Sequence, residues 1–145
     1  MKHDPTTILA TIDDYLKKTG GRKSAARERV VLTLAQSKKP VTAYQLLATI
    51  NKKQKEPMAA ASLYRILDFL VEIGVVLKRD SDSSYEICHH VHKSHQHVLL
   101  VCDQCGQSQE ISETALTRSL SQSAEKHKFH LKHHIVELHG VCGRC

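Results

Sequence analysis

Four cysteines in two matched pairs, Cys102-Asp103-Gln104-Cys105 and Cys142-Gly143-Arg144-Cys145, constrain this chain more than any other feature. A C-x-x-C loop turns both sulfurs to one side at the spacing a tetrahedral ion demands, and Gly106 and Gly143 let nearby backbone N–H groups face the thiolates. Two such loops make a closed four-sulfur site. Zinc satisfies it best, and with no coordination position left open its role would be structural. The 36 residues between the pairs exceed the spacing of a compact zinc ribbon, so a folded segment has to lie between them. A redox pair or idle cysteines are the competing readings, and two matched pairs disfavour both.

The rest of the composition divides along the chain. Residues 1–87 of the 145 hold 15 Lys+Arg against 10 Asp+Glu, a net of +5, with no cysteine and only His3. Residues 88–145 are nearly neutral, yet they carry all five cysteines and the other ten histidines. No apolar run approaches the ~20 residues that span a bilayer. Asp13 and Asp14 interrupt the stretch that a signal peptide would need. A cytoplasmic protein is therefore expected, without a membrane partner, and in a reducing compartment an odd number of cysteines reads as thiolate ligands rather than disulfides. An aromatic content of 4% argues against a protein that stacks single-stranded bases.

The first half reads as helices around a turn. Asp4-Pro5 supplies an N-cap and first position for a helix with Ile8, Leu9, Ile12, Tyr15 and Leu16 on one stripe, ended by Gly20-Gly21. Ser24 caps a second helix carrying Ala26, Val30, Val31 and Leu34. Thr42-Ala43-Tyr44-Gln45 is a capping box for a third, reaching about residue 53. Residues 59–73 form a fourth, with Leu63, Ile66, Leu67, Leu70 and Ile73 on one face and Gly74 after it. Residues 75–79 and 85–88 then read as two strands around a polar tip.

Helices followed by a two-stranded ribbon describe a winged helix-turn-helix, in which residues 59–73 would be the recognition helix, presenting Ser62, Tyr64, Arg65 and Asp68. Arg can donate two hydrogen bonds to a guanine edge, and Tyr and Ser can donate to phosphates. Arg22, Lys23, Arg27, Arg29, Lys52, Lys53 and Lys78 would add salt-sensitive attraction to the backbone of double-stranded DNA. A solvated basic surface on a protein-docking module is the alternative.

In the second half, residues 98–101 and 108–111 read as strands, 113–126 as a helix with Ala115, Leu116, Leu120 and Ala124 inward, and 130–140 as a long strand. Cys88, His89, His90, His92, His95 and His97 crowd the segment before the first of these. Cys88 with His95 and His97 forms a nitrogen and sulfur set suited to zinc and softer than iron(II) or manganese prefers, and Glu110 could close it. Most of His127, His130, His133, His134 and His139 read as surface or supporting residues.

With these residues in view, the chain resembles the ferric uptake regulator (Fur) family, and within it the zinc uptake (Zur) branch. The resemblance is carried by Val41-Thr42-Ala43-Tyr44-Gln45-Leu46-Leu47, by residues 62–70 from Ser62-Leu63-Tyr64-Arg65 to Leu70, by Cys102-Asp103-Gln104-Cys105-Gly106 and by His139-Gly140-Val141-Cys142-Gly143-Arg144-Cys145. It implies an α+β chain: a winged-helix DNA-binding domain over residues 1–83 and a small α/β dimerisation domain over 84–145. It implies a structural zinc on Cys102, Cys105, Cys142 and Cys145, and a regulatory zinc on Cys88, His95 and Glu110. It places Tyr44, Tyr64 and Arg65 against DNA. The function implied is a zinc-responsive, homodimeric repressor that binds a palindromic operator and controls zinc-uptake genes.

The chain departs from the family pattern in three places. Val75-Val76-Leu77 offers no ligand from the wing, so His97, or else His90 or His92, would complete the regulatory set. A dense histidine run typical of iron and peroxide sensors is stretched into His95-Gln96-His97, and Ala25-Ala26 replaces a Thr-Pro. An iron, manganese or peroxide sensor of the same family is the nearest alternative. A zinc-stapled interaction or storage protein without a DNA role is another. A zinc hydrolase or deaminase is disfavoured, because neither H-E-x-x-H nor H-x-E with P-C-x-x-C occurs. No enzymatic activity is therefore expected, and no small-molecule substrate other than a metal ion.

Overall fold

The structure, a computed structural model, describes residues 4–52, 54–88, 97–111, 113–131 and 135–145. The chain divides into two compact units, Met1–Lys93 and Ser94–Cys145. Both mix helix and sheet, in keeping with the α+β class expected.

In the first unit the helix starts are written into the sequence. Asp4 accepts a hydrogen bond from the Thr6 N–H, with Pro5 opening α1 (Pro5–Thr19), and Gly20 ends it at φ 73, a left-handed conformation that favours glycine. The Ser24 hydroxyl caps α2 (Ala25–Gln36) by accepting from the Arg27 N–H. Both bonds of the capping box form at α3 (Ala43–Asn51): Thr42 Oγ1 accepts from the Gln45 N–H, and Gln45 Oε1 accepts from the Thr42 N–H. No side chain caps α4 (Ala60–Glu72). Instead Asn51 clamps the approach to it, donating to the Met58 carbonyl at 3.0 Å and accepting from the Met58 N–H at 2.7 Å.

The wing is a sheet of three strands rather than two. β2 (Val76–Lys78) and β3 (Ser84–Ile87) pair antiparallel, with Lys78 opposite Tyr85, and β1 (Val41–Thr42) covers the other edge of β3. Two residues are too short to show alternation, so β1 left no trace in the sequence pattern. At the tip, the Asp82 carboxylate accepts from the Ser84 N–H, the Ser84 hydroxyl and the Arg79 guanidinium. The core gathers Ile8, Ile12 and Leu16 of α1, Val30, Val31 and Leu34 of α2, Leu46 and Ile50 of α3, Leu63, Leu67 and Leu70 of α4, and Tyr85. Each fully buried aliphatic chain contributes about 1.5–3 kcal/mol relative to exposure.

The second unit is a three-stranded sheet with β4 (His97–Cys102) in the middle, β5 (Ser108–Ile111) antiparallel on one side and β6 (Ile135–Gly140) parallel on the other. Parallel pairing requires a crossover, and the segment holding α5 (Thr114–Lys126) provides it. His130 and Leu131 of the expected long strand are not in strand conformation, whereas Ile135–Gly140 pair with β4 from His97 to Cys102. Among the described residues the core here is small, formed by Val98, Leu99, Val101 and Cys102, and α5 has no buried residue. No helix among the described residues is long and apolar enough to cross a membrane.

Candidate metal centre and nucleic-acid interface

β4 carries Cys102 to the end of the sheet, where the chain reverses. The Cys102 N–H donates to the Gln107 carbonyl and the Gly106 N–H to the Cys102 carbonyl, each within 2.9 Å, with Gly106 at φ 72. The Asp103 N–H then bonds the Gly140 carbonyl at 2.8 Å, which brings the end of β6 and its cysteine pair alongside. All four sulfurs lie within 4.8 Å of one another. Cys102 Sγ is 3.9 Å from Cys145 Sγ, Cys105 Sγ is 3.9 Å from Cys142 Sγ, and Cys142 Sγ is 3.5 Å from Cys145 Sγ. Tetrahedral zinc with bonds of about 2.3 Å sets its sulfurs roughly 3.8 Å apart. The donor set and its spacing therefore fit a closed zinc centre.

The backbone prepares this set for a cation. N–H groups of Cys142 and Cys105 donate to Cys102 Sγ at 3.3 Å and 3.5 Å. Those bonds, led by the one from Cys142, bring the Cys102 thiol down to about 6. The Arg144 N–H and then the Cys145 thiol lower Cys142 as well. Cys145 is pushed up to about 12, because its thiol is hydrogen-bonded among the other sulfurs, Cys142 first and Cys105 next. Four thiolates this close cannot all ionise unaided, and a divalent ion would take the place of the retained protons.

The donors expected to form a second site are distributed over both units. In the second unit, His97 at the start of β4 has its Nδ1 2.8 Å from Glu110 Oε1 on β5. Leu99 pairs with Glu110 across the ladder, so His97, two residues earlier on β4, shares a face with that carboxylate. The Glu110 side chain is 1% exposed and that of His97 15%. In the first unit, Cys88 follows β3 directly, is fully buried, and donates its N–H to the Val75 carbonyl at 2.9 Å. His90, His92 and His95 lie outside the described residues, as do His133 and His134.

α4 buries Leu63, Leu67 and Leu70 and turns Ser62, Tyr64, Arg65 and Asp68 outward. Tyr64 is 51% exposed, and Tyr44, in the first turn of α3, is 83% exposed. Arg65, beside Tyr64 in sequence, is exposed as well. Among the bases expected to attract a phosphate backbone, Lys23 is paired with Asp13 at 3.0 Å. Arg27 lies 4.4 Å over the Phe69 ring and donates to the Arg22 carbonyl. Lys78 stands 5.9 Å from the Tyr85 ring centre and remains exposed. Lys53 lies outside the described residues.

Two contacts around the four sulfurs escaped sequence reasoning. His139 sits between two carboxylates, 2.8 Å from Asp103 and 3.0 Å from Glu137, and Arg144 donates to Gln107 Oε1 at 2.7 Å. Only the i, i+2 spacing of Glu137 and His139 on a strand hinted at the first. His127 bonds the Ser123 carbonyl of its own helix and is otherwise exposed.

Comparison with known proteins agrees with this geometry. Residues 18–139 match the ferric uptake regulator family. The zinc uptake regulation protein of Escherichia coli (strain K12) is 31% identical over 140 residues, covering 95% of this chain and 81% of that protein. The ferric uptake regulation protein of Campylobacter upsaliensis is 30% identical over 144 residues, covering 95% of this chain and 88% of that one. Among solved structures, a zinc uptake regulator complexed with zinc and DNA superposes with a TM-score of 0.84 at 28% identity, covering 99% of this chain and 96% of that one. The crystal structure of holo XcZur superposes with a TM-score of 0.81 at 29% identity over 98% of both chains. With the winged helix, the four-sulfur cluster and a match over most of its length, the chain belongs to the ferric uptake regulator family.

Proposed function

We propose that this chain is a zinc-responsive transcriptional repressor, which binds palindromic operator DNA as a metal-loaded homodimer and controls zinc-uptake genes. It is supported above all by α4, which offers Tyr64 and Arg65 to solvent on a winged helix while the second unit gathers four sulfurs at zinc spacing. Tyr44, Tyr64 and Arg65 contact the DNA. Cys102, Cys105, Cys142 and Cys145 hold the structural zinc. Cys88, His95, His97 and Glu110 hold the regulatory one.

The sulfur of Cys88 favours zinc over the iron or manganese that other members of such a family would sense. Leu100 and Leu138, paired across β4 and β6, are 40% and 49% exposed, an apolar surface that a second copy of the chain would cover. The protein acts in the cytoplasm, where thiolates stay reduced, and it has no enzymatic role. Two half-sites one DNA turn apart, ~34 Å, would receive the two winged helices of a dimer. Zinc and operator then strengthen each other's binding, typically by ~1–3 kcal/mol.

Fluorescence anisotropy at fixed salt tests this. The labelled operator should bind several-fold more tightly with micromolar zinc than with a chelator. Equal affinity in both conditions would remove the switch.

A further inference from the structure

The cysteine pairs come from two arms of the chain: the turn after β4 and the segment after β6. The second arm carries Cys145, which is exposed, whereas Cys102 on the first is buried. A chelator takes zinc from such a centre one thiolate at a time, so the arm that swings away more easily sets the rate. Among the described residues, side-chain contacts cross between the arms outside the sulfurs. Arg144 Nη2 donates to Gln107 Oε1 at 2.7 Å. His139 Nδ1 meets Asp103 Oδ1 at 2.8 Å while Nε2 meets Glu137 Oε2 at 3.0 Å. Both ring nitrogens therefore meet a carboxylate, which fixes the ring between the turn and its own strand. Each contact thus ties the arm bearing Cys142 and Cys145 to the turn bearing Cys102 and Cys105.

We propose that His139 and Arg144 are positioning residues of the four-sulfur centre, clamping its two arms together and slowing the loss of its metal. The clamp rests on the reading of that centre as a zinc site. It separates two lifetimes within one chain, since the structural zinc stays put while a sensing zinc exchanges.

The test follows release of zinc from the full-length, zinc-loaded protein into excess 4-(2-pyridylazo)resorcinol. A Cys88→Ser background confines the signal to the four-sulfur zinc. His139→Ala and Arg144→Ala should each release zinc roughly fivefold to tenfold faster, the scale of one lost hydrogen bond. Far-UV circular dichroism and the cobalt-thiolate absorption of the cobalt-substituted protein should remain parental. Gln107→Ala combined with Arg144→Ala should be no faster than either alone, because both delete one contact. A general loss of stability would add instead. Should an alanine variant fail to fold, Gln107→Ala and Asp103→Asn weaken the same contacts from the other arm, with the same acceleration expected. Parental release rates in the folded variants, or additive effects of Gln107→Ala and Arg144→Ala, overturn the clamp alone. A parent with no cobalt-thiolate band overturns the clamp together with the zinc site.

Discussion

Nδ1 of His97 lies 2.8 Å from Oε1 of Glu110, across the β4 and β5 ladder, with the glutamate side chain almost wholly buried. Burying a carboxylate is costly unless a partner compensates, and imidazole nitrogen beside carboxylate oxygen is also half of a mixed zinc site. His97→Ala or Glu110→Ala should weaken the regulatory zinc by about 10–100-fold, as losses in and around metal ligands typically do. The four-sulfur zinc should be unaffected. Competition titration with a chelator of known affinity measures both, and a parental affinity for the weaker zinc in either variant would remove that residue from the site.

The capping box at α3 is a separate, local prediction. Thr42 and Gln45 satisfy two backbone N–H groups in the turn that holds Tyr44 out to solvent. Thr42→Ala should cost about 1 kcal/mol of stability to unfolding, read from a denaturant midpoint with an unchanged slope. Thr42→Ser, which keeps the oxygen, should stay close to the parent.

These caps were legible in the sequence because a helix start is a local event: Asp4, Ser24 and Thr42 each bond a backbone group two or three residues away. The stripe Leu63, Leu67, Leu70 and the four cysteines were legible for the same reason of fixed spacing. What stayed hidden depends on register between distant segments. β1 exists only because Val41 meets Tyr85, and β6 lies parallel to β4 because Val136 meets Val98 across the sheet. The contacts of His139 with Asp103 and of Arg144 with Gln107 span 36 and 37 residues, and no periodicity reports such a meeting.

Basic residues of the first unit should separate into two kinds when DNA binding is measured against salt. Arg65→Ala removes an exposed donor and should cost ~1–3 kcal/mol of operator affinity and relax sequence preference. Lys78→Ala should weaken all sequences alike and reduce the logarithmic salt slope by about 1. Arg27→Ala should leave that slope unchanged and lower the melting temperature, since its guanidinium packs over Phe69. An Arg27 variant with parental melting and a shallower slope would reverse this assignment.

Thiol ionisation in the metal-free protein should be spread over a wide pH range. Backbone N–H groups bring Cys102 from 9.0 to about 6, while hydrogen bonding among the sulfurs takes Cys145 up to about 12. A lowered thiol stabilises the folded form above its unfolded value, and that contribution fades as pH falls from 9 towards 6. A raised thiol acts in the opposite sense: its contribution is present below 9 and is lost as pH rises towards 12. Thiolate absorbance near 240 nm should therefore begin to rise near pH 6, and Cys102→Ser should abolish that first step. A single rise centred near 9 would contradict the hydrogen-bonding account.

Removing Arg144 and Cys145 tests the second unit as a whole. Arg144 and Cys145 are exposed, and the loss of exposed residues normally changes little. Here it deletes one of the four clustered sulfurs proposed to hold zinc and the guanidinium that reaches Gln107. The unit has little else to fall back on, because among the described residues its buried apolar ones sit on one strand and none of α5 is buried. Metal-binding energy in so small a core is folding energy. The truncated protein should lose the structural zinc and the cooperative melting of residues 94–145, while the winged helix, with its own core, still melts cooperatively. Calorimetry with zinc analysis reads both, and an unchanged melt of the second unit after truncation would show that zinc does not hold it together.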